Sequence, residues 1–281
     1  MIKNTINKNI VQYTFKSRIT MNIILKTLLL TFMTINLYAQ TDKLDIILKN
    51  NKLKVCIWPN YYGISYLDQR TQKLVGIDSD LAKELANDLN VKLEFVPSSF
   101  ATLTDDIVQN RCDIAMFAIG NTKKRREKMR FTTPHLASDI YAVTTKTNKK
   151  IKSWNDIDKK GVIVAVAKGT YHEPVMKKKL KNAELLVVNS YKARENEVLS
   201  GRADVFMTDY PFGKRMLAKT NWAKLIIPNT KYHMTPYAWA MAYGNDKFYN
   251  RVELFIKTIK DDGRLLKLAK KNHLEPIVKL K

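Results

Sequence analysis

Residues 110–120 (NRCDIAMFAIG) and residues 201–209 (GRADVFMTD) share one pattern, in which a polar turn leads through an aspartate into a short apolar run. Each run has the length and composition of a buried strand. Two further strands and two helices precede each of these strands, so the order β-α-β-α-β occurs twice. This order builds a parallel sheet, and its repetition predicts two similar α/β lobes rather than one large sheet.

Apolar periodicity and capping residues predict the individual elements. The predicted strands lie at 53–58, 92–96 and 113–118 in the first unit and at 162–167, 185–188 and 203–208 in the second. The helices between them are predicted to end at 89 and 109 and to span 171–180 and 192–200. Asp78 or Asp80 is predicted to cap the first helix. A returning strand at 237–242 and an amphipathic helix that Gly263 ends complete the order.

The composition is that of a folded protein. The chain has 281 residues, 45% of them hydrophobic, with only 9 Gly and 8 Pro, which is enough to bury a core and argues against disorder. The net charge is +23, but the basic residues are spread along the chain. The densest basic clusters, at 123–126 and 176–181, lack the interleaved aromatic residues of a single-strand binding groove. No nucleic-acid partner is expected.

Residues 1–39 have the composition of a secretory signal. They hold five basic residues and no acidic one, with an apolar run over 27–37. The sequence Leu37-Tyr38-Ala39 follows, and this order predicts cleavage after Ala39. Met21 opens a compact signal by itself, so the alternative that residues 1–20 are an over-extended start stays open. We expect a periplasmic protein without a lipid anchor, because no Cys follows the cleavage site.

Cys56 and Cys112 are the two cysteines of the chain. Cys56 lies within one predicted strand and Cys112 directly precedes another, so a disulfide between neighbouring strands and a pair of buried thiols both fit the sequence. The histidines are too scattered for paired ligation: His135, His172, His233 and His273. Neither a metal nor a cofactor is expected.

Two lobes joined by two crossing segments, predicted near 138–143 and 236–242, should enclose a cleft. Ligands of open parallel sheets bind beyond the carboxyl ends of the strands. The residues that follow the predicted strands supply aromatic faces, one cation, one carboxylate and a Gly-Thr helix start: Trp58, Tyr61, Tyr62, Phe100, Arg125, Thr170, Tyr171 and Asp209. Such a set suits a zwitterion.

These motifs resemble the periplasmic solute-binding proteins, family 3, which supply polar amino acids to ABC importers. The resemblance runs from about residue 52 to the C-terminus and rests on ordered motifs: GIDSDLAKEL at 76–85, Thr122-x-x-Arg125, Phe131-x-x-Pro134, Lys168-Gly169-Thr170 and Gly201-x-x-Asp204 with Asp209. It implies an α/β, two-lobed type II periplasmic-binding-protein fold, with 40–139 and 242–281 in lobe 1 and 140–241 in lobe 2. It also implies a monomer that delivers an amino acid to an inner-membrane ABC permease by hinge closure.

The resemblance assigns roles to the polar residues of the cleft. Arg125 takes the position whose guanidinium binds the ligand α-carboxylate as a bidentate fork. Asp209 takes that of the carboxylate that binds the α-ammonium. Thr170 and Tyr171 fall where a helix N-terminus donates hydrogen bonds to the same ligand carboxylate.

The resemblance also assigns the walls of the ligand pocket. Tyr61 aligns with the aromatic residue that stacks on the ligand side chain, and Phe100 with another pocket wall. The family often has Ser or Thr where this chain has Gly120, with Ala118 two residues earlier. One carboxylate-binding hydroxyl is therefore missing. The aromatic lining favours an aromatic, long aliphatic or flat cationic ligand side chain.

Structural alternatives remain for several of these residues. The run Lys-Lys-Arg-Arg that contains Arg125 is typical of a solvated helix face. Asp209 has the position of a cap for a helix near Pro211. Trp58, Tyr61 and Tyr62 also suit the core or the rim of the fold.

A second hypothesis is catalytic. The fold is similar to that of periplasmic cyclohexadienyl (prephenate or arogenate) dehydratases, in which a carboxylic acid next to the Gly-Thr segment promotes loss of water and carbon dioxide. Glu173 would be that general acid. The sequence contains neither G-x-S-x-G nor a Walker loop. We expect a binding protein rather than an enzyme, and a ligand-presenting sensor component is a third possibility.

Overall fold

The computed structural model describes residues 41–281, so the predicted signal at 1–39 lies outside the described residues. The first half contains α1 Lys43–Lys49, β1 Lys52–Ile57, β2 Asn60–Tyr61, β3 Ser65–Asp68, β4 Lys73–Val75, α2 Ile77–Asp88, β5 Lys92–Pro97, α3 Leu103–Val108, β6 Ile114–Gly120, α4 Lys123–Arg126, β7 Arg130–Phe131 and β8 Leu136–Ser138. The second half contains β9 Tyr141–Thr145, β10 Ile163–Ala167, α5 His172–Lys179, β11 Glu184–Val188, α6 Tyr191–Leu199, β12 Val205–Thr208, α7 Tyr210–Lys219, β13 Ala223–Ile226, β14 Thr235–Met241, α8 Asp246–Asp261 and α9 Arg264–Lys271.

The strands form two mixed sheets and one small antiparallel sheet. The first sheet has the order β5-β1-β6-β14-β7, with β8 paired to β14, and the second has the order β11-β10-β12-β9-β13. In each, a central strand runs parallel to both of its neighbours, β1 between β5 and β6 and β10 between β11 and β12. We call the first sheet, its helices and the small β2-β3-β4 sheet the first lobe, and the second sheet with its helices the second lobe. The predicted repeat of two α/β units is confirmed.

The aspartates of the two similar stretches have the same structural role. Asp113 precedes β6, and its Oδ2 accepts a hydrogen bond from Lys54 N at 2.8 Å. Asp204 precedes β12, and its Oδ2 accepts from Ile163 N at 2.9 Å. Each carboxylate thus satisfies an amide at the start of the neighbouring parallel strand. The two equivalent bonds explain why the same residue type begins both stretches.

The chain returns to the first lobe earlier than the sequence analysis predicts. β14 pairs with β6, β7 and β8, so the chain returns at Thr235, before the predicted boundary at 242. The predicted second crossing at 236–242 is therefore a buried strand. The crossing itself lies at 227–234, between β13 and β14.

Asp139 ties the two crossing segments together. Its Oδ1 accepts from Ile140 N at 2.7 Å and from His233 N at 2.6 Å, and its Oδ2 accepts from Tyr232 N at 2.8 Å. The carboxylate is nearly buried. One side chain therefore fixes the outgoing and returning crossings side by side.

Neither predicted cap of α2 caps that helix. Gly76 holds the N-cap position without a side-chain bond, and Asp80 forms ion pairs with Lys83 and Lys271. Asp78 is fully buried, and its carboxylate accepts from Ala118 N at 2.6 Å and Trp239 Nε1 at 2.9 Å. The carboxylate points into the core because the Ala118 amide lies there, at the irregular part of the β6–β14 pairing, together with the indole N–H of Trp239.

Other predicted boundaries agree closely with the structure. Gly263, which has a left-handed backbone with φ of 80°, follows α8 as predicted.

Among the helices of residues 41–281, none is both long and apolar enough for a membrane crossing.

Cys56 and Cys112 form a disulfide, with their Cα atoms 5.5 Å apart. Of the two arrangements that the sequence permits, the bonded one is present. The bond connects Cys56, the next-to-last residue of β1, to the residue two positions before β6, and both residues are buried. It closes a loop that contains β5 and both helices between these strands.

The disulfide should stabilise the fold by reducing the conformational entropy of the unfolded chain. We expect a Cys56→Ala, Cys112→Ala double variant to lose about 2 to 4 kcal/mol of unfolding free energy. Urea unfolding followed by circular dichroism measures this loss. Wild-type protein kept in dithiothreitol should match the variant. Equal stability of oxidised and reduced wild type would contradict the expectation.

Candidate functional site

A buried carboxylate joins the two lobes. Asp209 follows β12 of the second lobe and is 2% exposed. Its Oδ2 accepts a hydrogen bond from the hydroxyl of Tyr237 in β14 at 2.6 Å and another from the hydroxyl of Tyr61 in β2. Both tyrosines belong to segments of the first lobe. The predicted cleft therefore has one anionic group that both lobes hold.

Asp209 also caps α7, because its Oδ1 accepts from Phe212 N at 3.3 Å. The helix cap is therefore present, and the role of the carboxylate in ligand binding stays a prediction. Burial raises the pKa of Asp209 above the ordinary aspartate value, and the hydrogen bonds from Tyr237 and Tyr61 oppose that rise.

Arg125 points into the protein rather than into solvent. It lies in α4, which Thr122 caps. Its Nη1 donates to Gly120 O at 3.1 Å, and its Nη2 donates to Gly169 O of the second lobe at 3.0 Å. The guanidinium carbon lies 5.6 Å from the centre of the Phe100 ring. Burial lowers the pKa of Arg125 to about 10, so the side chain stays charged at neutral pH.

The Gly-Thr segment lies between β10 and α5. Thr170 and Tyr171 are buried, and the hydroxyl of Thr170 donates to Ala167 O at 2.7 Å. The Tyr171 hydroxyl lies 3.2 Å from that of Tyr237. The segment thus contacts the first lobe beside Asp209.

Gly169 lies close to the backbone of the first lobe. Its φ is 80°, and a Cβ atom there would lie 2.9 Å from Ala101 Cα and 3.0 Å from Phe100 O. Only glycine fits, for both conformational and steric reasons. This contact lets Arg125 reach the carbonyl of Gly169 across the cleft.

Aromatic rings from both lobes pack around these polar groups. The ring of Trp58 lies 5.4 Å from that of Tyr61 and 5.5 Å from that of Phe100, between centroids. Tyr191 of α6 packs on Trp58 at 4.2 Å. Tyr62 is apart from this group, since its ring contacts Tyr66 at 5.8 Å and the ammonium of Lys219 at 5.7 Å. It lies at the outer edge of the site.

The two small residues of β6 have different surroundings. A Cβ on Gly120 would lie 3.3 Å from the Tyr171 ring and 3.4 Å from Nη1 of Arg125. The missing side chain therefore lets these groups come together. Ala118 has a φ of 48°, and its amide is bonded to Asp78 in the core. Its role in the described structure is to shape the end of β6.

A cavity of about 420 Å³ opens beside the aromatic group, between the lobes. Trp58, Asn60, Ser99, Phe100 and Ala101 line it from the first lobe, and the second lobe contributes Ala167, Lys168, Asn189, Ser190, Tyr191, Lys192, Glu195, Phe212 and Arg215. Such a volume suits a small molecule of amino-acid size.

Sequence reasoning missed Tyr191, Tyr237 and Phe212 as members of the site. Tyr191 comes three residues after β11, so the rule that cleft residues follow strands could have found it. Tyr237 lies within a strand, and Phe212 lies on the first turn of α7. No local pattern distinguishes these two from core aromatics.

Known proteins share both the sequence and the fold. The bacterial extracellular solute-binding proteins, family 3, match residues 53–275. Cyclohexadienyl dehydratase of Pseudomonas aeruginosa is 32% identical over 177 residues, which cover 62% of this chain and 65% of that protein. The match thus spans slightly less than two thirds of that relative.

Two solved structures extend the likeness. A crystal structure of an ancestral amino acid-binding protein, described as a precursor of cyclohexadienyl dehydratase, is 32% identical, with a TM-score of 0.73 over 81% of this chain and 98% of that one. An amino acid ABC transporter substrate-binding protein from Streptococcus pneumoniae, bound to L-arginine, is 25% identical, with a TM-score of 0.74 over 84% and 100%.

These likenesses confirm the predicted type II periplasmic-binding-protein fold. The family match covers most of the described residues, including both similar stretches and the segments that carry Arg125 and Asp209. The chain belongs to the bacterial extracellular solute-binding proteins, family 3.

Proposed function

We propose that the chain is a periplasmic substrate-binding protein that captures an amino acid between its lobes and delivers it to an inner-membrane ABC permease. One observation carries the proposal. The half-buried guanidinium of Arg125 from one lobe and the buried carboxylate of Asp209 from the other lie within the same group of aromatic residues. Groups of opposite charge that reach one cleft from its two lobes match the two charges of a zwitterion.

Electrostatics supports the pairing of each ligand charge. Burial disfavours the charged forms of both groups, since it lowers the pKa of Arg125 and raises that of Asp209. A ligand carboxylate at Arg125 and a ligand ammonium at Asp209 would each favour the charged form again. Binding of a zwitterion would therefore recover electrostatic free energy that the buried groups lose on their own.

The contacts between lobes support hinge closure. Arg125 reaches Gly169, and Tyr61 reaches Asp209, only while the lobes are together. The crossings that Asp139 ties together are the natural hinge. A ligand that contacts both lobes favours the closed state by its differential affinity. Export to the periplasm, the monomeric state and the permease partner belong to the same proposal and rest on family membership and on the signal-like residues 1–39.

A dehydratase is the second candidate, because one relative 32% identical to this chain is a cyclohexadienyl dehydratase. Glu173 is the residue concerned. Its Oε2 accepts from Gly169 N at 3.0 Å, so it braces the loop whose carbonyl Arg125 binds. In a binding protein, this hydrogen bond alone is a sufficient structural reason for a glutamate at position 173.

Replacement of Arg125 tests the site. A thermal-shift panel of amino acids first identifies a ligand, because a ligand of the folded state raises its melting temperature. Arg125→Ala should then weaken binding by about 2 to 5 kcal/mol, since it leaves a ligand carboxylate unpaired in a buried site. Calorimetry measures the change. The exposed neighbour provides a matched control, and Arg126→Ala should bind as wild type does. Unchanged affinity in a folded Arg125→Ala protein would remove Arg125 from the site.

Closure is tested by small-angle scattering. Saturation with the ligand identified above should decrease the radius of gyration, because the lobes approach one another about the two crossings. The scattering of a non-binding amino acid mixed at the same concentration serves as control. Superimposable profiles of ligand-free and saturated protein would count against hinge closure.

Replacement of Glu173 separates a binding protein from an enzyme. Glu173→Gln retains the size of the side chain and an acceptor for Gly169 N, but removes the ionisable proton. We expect no product from prephenate or arogenate with either protein, and amino-acid binding within about threefold of wild type. Conversion by wild type that the variant lacks would overturn the binding proposal and identify Glu173 as the general acid.

A further inference from the structure

Arg194 is a buried cation next to the proposed site. It lies on α6 and is 0% exposed. Its Nη1 donates to Met207 O, but Nε and Nη2 have no hydrogen-bond partner among residues 41–281. A buried guanidinium with unpaired donors is costly. The fold therefore holds two donors that an incoming group with acceptor atoms can satisfy.

The acidic groups nearest to Arg194 are engaged elsewhere. Asp209 accepts from Tyr61, Tyr237 and Phe212 N. Glu195 forms ion pairs with Arg215 at 3.3 Å and with Lys192 at 3.7 Å. His172 offers no charge either, because burial and the proximity of Arg194 lower its pKa to about 3.

Two aromatic rings connect Arg194 to the cavity. Its guanidinium carbon lies 4.2 Å from the centre of the Tyr191 ring and 4.4 Å from that of Phe212, and both residues line the cavity. Within the described residues the Tyr191 hydroxyl makes no hydrogen bond, so ring contacts alone hold this side chain. The Tyr191 and Phe212 rings therefore separate Arg194 from the cavity, and a ligand that displaced Tyr191 would gain access to the free donors.

The cavity itself is cationic. Its lining contains Lys168, Lys192 and Arg215 against one carboxylate, that of Glu195. Arg125 and Arg194 add two positive charges close to its wall. Such a field favours a ligand with net negative charge and disfavours lysine or arginine.

We infer that the ligand is an amino acid whose side chain carries a second carboxylate, with Arg194 as the partner of that group. This inference rests on the proposed function: Arg125 and Asp209 bind the α-carboxylate and α-ammonium, and Arg194 binds the distal group. A guanidinium pairs with a carboxylate through two parallel hydrogen bonds. The Nε and Nη2 donors of one guanidinium lie side by side and can form such a pair.

Calorimetry on the chain without residues 1–39 tests the inference. The panel contains three amino acids with a second carboxylate, L-aspartate, L-glutamate and L-arogenate. The counterparts with uncharged side chains are L-asparagine, L-glutamine and L-phenylalanine. Those with cationic side chains are L-lysine and L-arginine. We expect wild type to bind at least one of the first group about tenfold more tightly than any of the others.

Arg194→Met then removes the charge and retains much of the side-chain volume. It should weaken binding of the dicarboxylic ligand by about thirtyfold and change binding of its uncharged counterpart by less than about threefold. Arg202→Met is the matched control, because Arg202 is exposed and follows the same helix, and it should leave all affinities unchanged. Thermal unfolding of each variant reports whether it folds, and if Arg194→Met does not, the wild-type panel decides alone.

The possible failures are distinguishable. Tightest binding of lysine, arginine or an uncharged amino acid by wild type would overturn this inference and leave the proposed function standing. Binding of none of the panel would overturn both. Equal losses for charged and uncharged ligands in Arg194→Met would give Arg194 a structural role only and would also overturn the inference.

Discussion

The hydrogen bonds to the Asp209 carboxylate are the interaction on which the site depends. Two phenolic hydroxyls from the first lobe meet one buried carboxylate of the second. Hydrogen bonds to a charged acceptor are stronger than neutral ones, and a buried carboxylate left without them is costly. The lobes therefore meet at a polar point as well as through the aromatic packing of Trp58 and Tyr191. Such a junction can separate in water, where solvent replaces the hydroxyls.

Carboxylates also organise each lobe internally. Asp113 and Asp204 bond the neighbouring strand at equivalent places, and Asp78 holds the displaced amide of Ala118 at the end of β6. The backbone that leaves this end carries Gly120 and then Arg125. A buried aspartate of α2 thus supports the part of β6 that precedes Arg125 in the chain. The chain has a large excess of basic residues, and these acidic groups have specific structural roles within it.

Local sequence patterns predict the elements of this fold and part of the site. Strand and helix order, Gly263, Arg125 and Asp209 follow from periodicity, turn chemistry and family motifs. The roles of Asp78, Tyr191 and Arg194 do not, because each depends on atoms from segments distant in the chain. The return of β14 to the first sheet is a similar case: an apolar run predicts a strand, but only its partners decide which sheet it joins. The choice between thiols and a disulfide likewise required the distance between two strands.

Gly169 gives the protein a way to change how tightly it binds without changing what it binds. The glycine packs against the backbone of Phe100 and Ala101 only when the lobes are together. Any side chain at this position would act as a wedge that penalises the closed state, while the side chains of Arg125 and Asp209 stay the same. Apparent affinity scales with the population of the competent state. Retention and release of cargo can therefore be adjusted at one residue, independently of the chemistry that recognises the cargo.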